Sequence, residues 1–112
     1  MTPSDFDVVY RYFDAGNGGD TEALLACFTD DAIVVDDGET SRGIDEIRAW
    51  WTRTNAAFVF VVTPLTSGRD PDVADGMLVA ARLDGDFPGS PVELKFRFGL
   101  RDNRIVTLDI AP

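Results

Sequence analysis

From Val92 to Arg101 the chain alternates strictly, with Val92, Leu94, Phe96, Phe98 and Leu100 set against Glu93, Lys95, Arg97 and Arg101. Successive side chains of a strand point to opposite faces, so this segment is a strand with one face on a core and the other toward solvent or a partner. A sheet that is apolar on one side has to be covered there, and the cover is encoded upstream. Thr2-Pro3-Ser4-Asp5 reads as a capping box, after which Phe6, Val9, Tyr10 and Phe13 recur at helical spacing. Asn17-Gly18-Gly19 stops that helix, and Asp20 caps a short second one whose stripe is Leu24, Cys27 and Phe28. A third helix follows Gly43, with Ile44, Ile47 and Trp51 on one stripe. Asp45 and Glu46 in its first turn and Arg53 late in it suit the helix dipole.

The remaining segments read as strands. Ala32 to Asp36 is a β-branched apolar run, Asp37-Gly38 is a hairpin-turn signal, and a short return strand covers about Thr40–Arg42. Four further strands lie near 57–66, 76–84, 91–101 and 104–110, separated by turn residues such as Asp84-Gly85-Asp86 and Asp102-Asn103. Helices followed by a run of strands give an α+β class. The expectation is one domain over residues 1–112, with three N-terminal helices packed on a strongly curved antiparallel sheet.

Charge and residue inventory exclude several functions. Twenty acids against ten bases leave a net charge of −10, which repels nucleic acid and an anionic membrane face, so neither is an expected partner. No apolar run approaches the ~18 residues of a membrane span, and the first residues lack a secretory pattern, so a cytoplasmic location is expected. The chain has no histidine and one cysteine. Ser-His and Cys-His nucleophile systems, His-ligated metals and thiolate zinc sites are therefore excluded, and no acidic run has calcium-loop spacing. No metal or cofactor is expected. Cys27 reads as a small core residue.

Four pieces of the chain, in order, resemble one superfamily. They are Val9-Tyr10-Arg11-Tyr12-Phe13 running into Asn17-Gly18-Gly19-Asp20, then Cys27-Phe28-Thr29-Asp30-Asp31-Ala32, then Gly43-Ile44-Asp45-Glu46-Ile47 with Trp50-Trp51, and finally Phe96-Arg97-Phe98 with Asn103-Arg104-Ile105. Together they are similar to nuclear transport factor 2-like proteins, more narrowly the SnoaL-like and ketosteroid-isomerase-like members. The resemblance implies a cone whose curled sheet and helices enclose an apolar pocket for a small apolar molecule. Phe28, Val34, Trp50, Trp51, Phe58, Phe60, Leu94, Phe96 and Phe98 would line it.

The same resemblance implies a general base at Asp36 and an oxyanion donor at Tyr12. By periodicity alone Tyr12 sits on the flank of its helix stripe, half exposed. A further donor position of the isomerases falls on Leu94, which cannot hydrogen-bond. Losing one oxyanion donor costs about 10²–10³ in rate, so steroid isomerisation is rejected and the wider class kept. From the residues themselves, parity does not choose between Asp36 and Asp37, because both faces of Ala32–Asp36 are apolar; Asp36-Asp37-Gly38 also reads as a solvated turn. Two functions remain open. One is a carboxylate-based isomerase, cyclase or dehydratase acting on a polyketide-like carbonyl compound. The other is a non-catalytic ligand-binding or interaction domain. A homodimer through the outer sheet face is expected, since Lys95, Arg97 and Arg101 put positive charge there on an acidic protein.

Overall fold

The computed structural model describes residues 6–112; the Thr2–Asp5 capping box and the side chain of Phe6 lie outside what is described. Helix α1 runs Phe6–Asn17 and α2 runs Thr21–Leu25; strands β1 (Phe28–Asp36) and β2 (Glu39–Arg42) form a hairpin, and α3 (Gly43–Ala57) follows. Four strands complete the chain: β3 (Phe60–Arg69), β4 (Gly76–Gly85), β5 (Val92–Arg101) and β6 (Arg104–Ala111).

The six strands form one sheet in the order β2-β1-β6-β5-β4-β3. The hairpin turns are closed by left-handed residues, Asp37 (φ 53) with Gly38 (φ 77) and Asp102 (φ 51) with Asn103 (φ 60). Two consecutive positive-φ residues match the twist of the flanking strands, which is why Asp-Gly and Asp-Asn serve here.

The sheet departs from the sequence expectation in two ways. It is mixed, because β6 runs parallel to β1 while every other pair is antiparallel. Period-2 alternation is the same in both arrangements, so the strand pattern carries no information about direction between segments so far apart. The sheet is also not strongly curled. Rings from α1 pack directly on its inner face: Phe13 packs edge-on against Phe96 at 5.2 Å and Phe98 at 5.8 Å, and Tyr12 packs against Phe28 at 5.9 Å. Such edge-to-face pairs contribute about 0.5–1.5 kcal/mol beyond area burial.

Registers place the inner face unambiguously. Val34, Leu108, Phe98 and Met77 form one cross-strand row, and Asp36, Ile110, Phe96 and Val79 form the next. In β5 Phe96, Phe98 and Leu100 are buried and Val92 and Leu94 half-buried, while Glu93, Lys95 and Arg101 are exposed, as the alternation requires. Helix α1 packs on β3 and β6, and α3 on β1 and β2.

Two local expectations are corrected. The buried stripe of α1 is Val8, Val9, Tyr12, Phe13 and Ala15, whereas Tyr10 is 43% exposed and bonds Ser67 Oγ at 2.9 Å. The stripe is rotated from its sequence reading: Tyr12 turns in onto Phe28 of β1 and Phe98 of β5, while Tyr10 reaches out to the edge strand β3. Helix α2 stops at Leu25, and Phe28 begins β1 rather than ending a helical stripe. The ladder to β6 breaks between Phe28 and Ile33, so exposed Asp30 and Asp31 fall in a register shift and disguise the start of the strand.

On the outer face, Arg97 reaches Asp70 at 3.1 Å and Asp72 at 3.5 Å, and Arg101 lies 3.7 Å from Asp31. Two of the three bases that motivated a dimer therefore have acid partners within the chain, and Lys95 is exposed.

Candidate functional site

Between the helices and the inner sheet face lies a cavity of about 60 Å³. Helices α1 and α3 and strands β1 and β3 to β6 build its wall: Tyr12, Phe13, Gly16 and Asn17 from α1, Asp36 from β1, and Trp50, Trp51 and Thr54 from α3. Phe60 and Val62 of β3, Leu83 of β4, Leu94 and Phe96 of β5, and Ile110 of β6 close it. Gly16 has a steric reason to be small. A Cβ there would come 3.1 Å from Cη2 of Trp51, so its absence lets the indole lie against α1.

Among the described residues, Asp36 is the one charged residue in this wall. Its parity with Val34 puts it on the inner face, half-buried, while Asp37 has left the strand and is exposed in the turn. Trp50 donates its indole N–H to Asp36 Oδ2 at 3.0 Å. Burial holds the Asp36 carboxyl above the usual carboxylate range; the Trp50 hydrogen bond opposes this, and the nearby charges of Asp37 and Glu39 reinforce it.

The neutral polar groups are mostly committed. Thr54 donates to Trp50 O at 2.9 Å. Asn17 donates to Val62 O at 2.8 Å and accepts from Val62 N at 2.9 Å, standing in for a neighbouring strand on the free edge of β3. Tyr12 is 5% exposed, and no hydrogen bond engages its hydroxyl among the described residues. Burial, the negative charge of Asp36 and then Cys27 push its phenol pKa upward, so it stays protonated and can donate. The wall thus offers one carboxylate acceptor and one uncommitted hydroxyl donor among rings and aliphatic groups.

The matches with known proteins fall on this frame. Residues 9–108 match the SnoaL-like domain. The chain belongs to the SnoaL-like family. Its structure superimposes on a Sinorhizobium meliloti protein described as a "putative polyketide cyclase" with TM-score 0.87, 42% identity and 93% of each chain covered. A Catenulispora acidiphila protein of ketosteroid isomerase-like fold, in complex with trimethylamine, matches at TM-score 0.80 and 24% identity over 100% of this chain and 87% of that one. A Mycobacterium tuberculosis protein in complex with estradiol-17beta-hemisuccinate matches at TM-score 0.79 and 18% identity, over 95% of this chain and 91% of that one. These last two show the shared fold. No match was found among curated proteins.

Of the residues expected in this SnoaL-like site, Tyr12, Asp36, Trp50, Trp51, Phe60, Leu94 and Phe96 reach the cavity wall. Phe28, Val34 and Phe98 are buried beside it without lining it. Phe58 is 40% exposed and packs on Phe87 at 6.0 Å, away from the cavity. The resemblance implied a wall position for it, whereas β3 begins only at Phe60 and Phe58 caps the end of α3. Sequence reasoning missed Phe13, Gly16, Asn17, Thr54, Val62, Leu83 and Ile110 as wall residues. Thr54 had a signal, since it lies four and three residues after Trp50 and Trp51 on the same helix face. Among the described residues, no group of three or more His, Cys, Asp or Glu is placed to hold a metal, and no helix is long and apolar enough to cross a membrane.

Proposed function

We propose that this SnoaL-like domain is an enzyme in which Asp36 removes an acidic C–H proton next to a carbonyl while Tyr12 hydrogen-bonds the oxygen that gains charge. The observation that carries the reading is the juxtaposition of Asp36, held by Trp50 at 3.0 Å, with the uncommitted Tyr12 hydroxyl in one apolar cavity. In the step, an Asp36 oxygen accepts the proton, the C–H electron pair becomes the enolate double bond, and the carbonyl π pair moves to oxygen. Return of the proton to another atom of the enolate completes an isomerisation; attack of the enolate carbon on a second carbonyl of the same substrate closes a ring, with that carbonyl's π pair moving to its oxygen, which takes the proton back from Asp36. Partial burial makes Asp36 a stronger base than a solvated carboxylate.

Leu94 narrows the substrate. A site losing one of two oxyanion donors loses about 10²–10³ in rate, so Tyr12 alone suits a substrate whose proton is already acidic, such as a 1,3-dicarbonyl. Polyketide chains are made of such units, which agrees with the likeness to the Sinorhizobium protein. Size narrows it again. Pockets that enclose drug-sized ligands hold roughly 300–1,000 Å³, so a small molecule, or one end of a larger one, enters a cavity of about 60 Å³.

Methyl acetoacetate in D₂O tests the reading, with α-proton exchange followed by NMR above the buffer rate. Wild-type protein accelerates exchange; Asp36→Asn loses about 10²–10⁴ of that acceleration, and Tyr12→Phe loses less because water can replace the phenol. Wild type no faster than Asp36→Asn sinks the base assignment. Leu94 favours the second reading, a binding domain of the same fold, which that result would leave standing.

A further inference from the structure

We infer that the cavity is a binding site for a small secondary or tertiary alkylammonium ion, its N–H hydrogen-bonded to Asp36 and its carbons among the aromatic rings. This goes beyond the carbonyl chemistry above and shares with it only the placement of Asp36 on the cavity wall. Among the described residues, Asp36 is the sole formal charge in the lining, and no Lys or Arg is part of it. Six rings surround the same space: Tyr12, Phe13, Trp50, Trp51, Phe60 and Phe96. Aromatic rings attract a desolvated cation, and a carboxylate supplies its counter-charge, so the wall is complementary to a positive nitrogen bearing carbon substituents.

The groups around Asp36 point the same way. Tyr12 faces it from α1 and Trp50 from α3, while Asp37 and Glu39 add negative charge from the turn and β2. Arg53 of α3 is exposed and sits 3.9 Å from Glu39, outside the lining. One carboxylate oxygen takes the Trp50 N–H, which leaves the other to accept from a ligand. A cation in the cavity also relieves the cost of holding Asp36 charged while partly buried. The net charge of −10 raises the local concentration of cations and opposes anionic ligands, for which the cavity has no base.

Pyrrolidinium chloride and tetrahydrofuran test this, because the two rings match in size and differ in charge and in donating versus accepting a hydrogen bond. The full chain is titrated with each by isothermal calorimetry and by indole chemical shifts. Pyrrolidinium should bind at least about tenfold more tightly than tetrahydrofuran, and Asp36→Asn should weaken it about tenfold or more, the loss expected for a charge-assisted hydrogen bond. Asp109→Asn, an exposed acid on β6, should leave binding unchanged. Circular dichroism of Asp36→Asn checks that its fold is intact. Equal binding of the two rings, retention of pyrrolidinium by Asp36→Asn, an equal loss in Asp109→Asn, or no binding of pyrrolidinium each overturns the inference. Proton exchange of methyl acetoacetate reports separately on the base reading. If exchange fails and pyrrolidinium binds, the cation site stands alone; if exchange proceeds and pyrrolidinium does not bind, only the base reading survives.

Discussion

Truncating Arg97 to alanine strips the countercharge from Asp70, whose side chain is fully buried while that of Arg97 is 40% exposed. Removing one partner of a buried ion pair costs about 3–5 kcal/mol when the remaining charge is left uncompensated. Two features reduce that here: water reaches the Arg97 side, and Asp70 keeps the Asp72 N–H at 2.9 Å. A loss of about 2–3 kcal/mol follows. Unfolding entropy near 60 °C is about 2.1 cal/mol/K per residue, so 112 residues give about 0.24 kcal/mol/K and a fall of about 8–12 °C in Tm. Thermal unfolding at pH 7, followed by far-UV circular dichroism, measures it. The double variant Arg97→Ala/Asp70→Asn should recover about half or more of the loss, since no charge is then stranded. A fall under about 2 °C, or no recovery in the double variant, would refute the claim that the fold itself consumes Arg97. In that case the outer face would again offer a free base to a twin subunit.

Three other outcomes are expected. Asp36 is protonated more readily folded than unfolded, so wild-type stability rises as pH falls from its elevated value to the ordinary carboxylate value and is lost as pH rises back through the elevated one; urea midpoints should show that slope in wild type and not in Asp36→Asn, and parallel slopes would contradict the burial of this carboxyl. Asn17→Ala frees the N–H and C=O of Val62, costing about 1–2 kcal/mol, with faster hydrogen exchange at the Val62 amide; unchanged protection would count against the edge-capping role. Gly85→Ala puts a methyl 2.4 Å from Val59 O and 2.6 Å from Phe60 Cβ, so β3 must shift at a cost of about 1–3 kcal/mol; a urea midpoint equal to wild type would show the contact to be soft.

The fold was legible wherever a short repeat met a single buried face. The β5 alternation and the Asp-Gly and Asp-Asn turns needed only local information, and so did the α3 stripe with Trp51. What stayed hidden was set by pairing at a distance. The β1–β6 register decides that Asp36, on the row of Ile110 and Phe96, faces the cavity while Asp37 leaves the strand. Parity within Ala32–Asp36 contains no such information, because both of its faces are apolar. Tyr12 illustrates the same limit from the helix side: its ring is covered by Phe28 of β1 and Phe98 of β5, distant partners that the 3.6-residue period alone does not contain. Phe58 shows the converse failure: the resemblance implied an inward ring, but the residue precedes the start of β3 and caps α3.

Asp36 is also where the fold and the site disagree. Its neighbours toward the sheet centre in the cross-strand row, Ile110, Phe96 and Val79, are apolar, and an aliphatic residue would extend that run without burying a charge. A local conflict of this kind marks either a structural tie or a working group. As a structural tie, Asp36 would exist to receive the Trp50 N–H, and Asp36→Asn, whose side-chain oxygen can still accept, would be neutral in stability at every pH. As a working group held partly desolvated, it costs stability at neutral pH, and the same variant gains stability while losing ligand or turnover. The two roles therefore separate on one substitution measured twice, once by urea unfolding and once by titration with pyrrolidinium. Stability gained together with binding lost is what a carboxylate kept for chemistry requires.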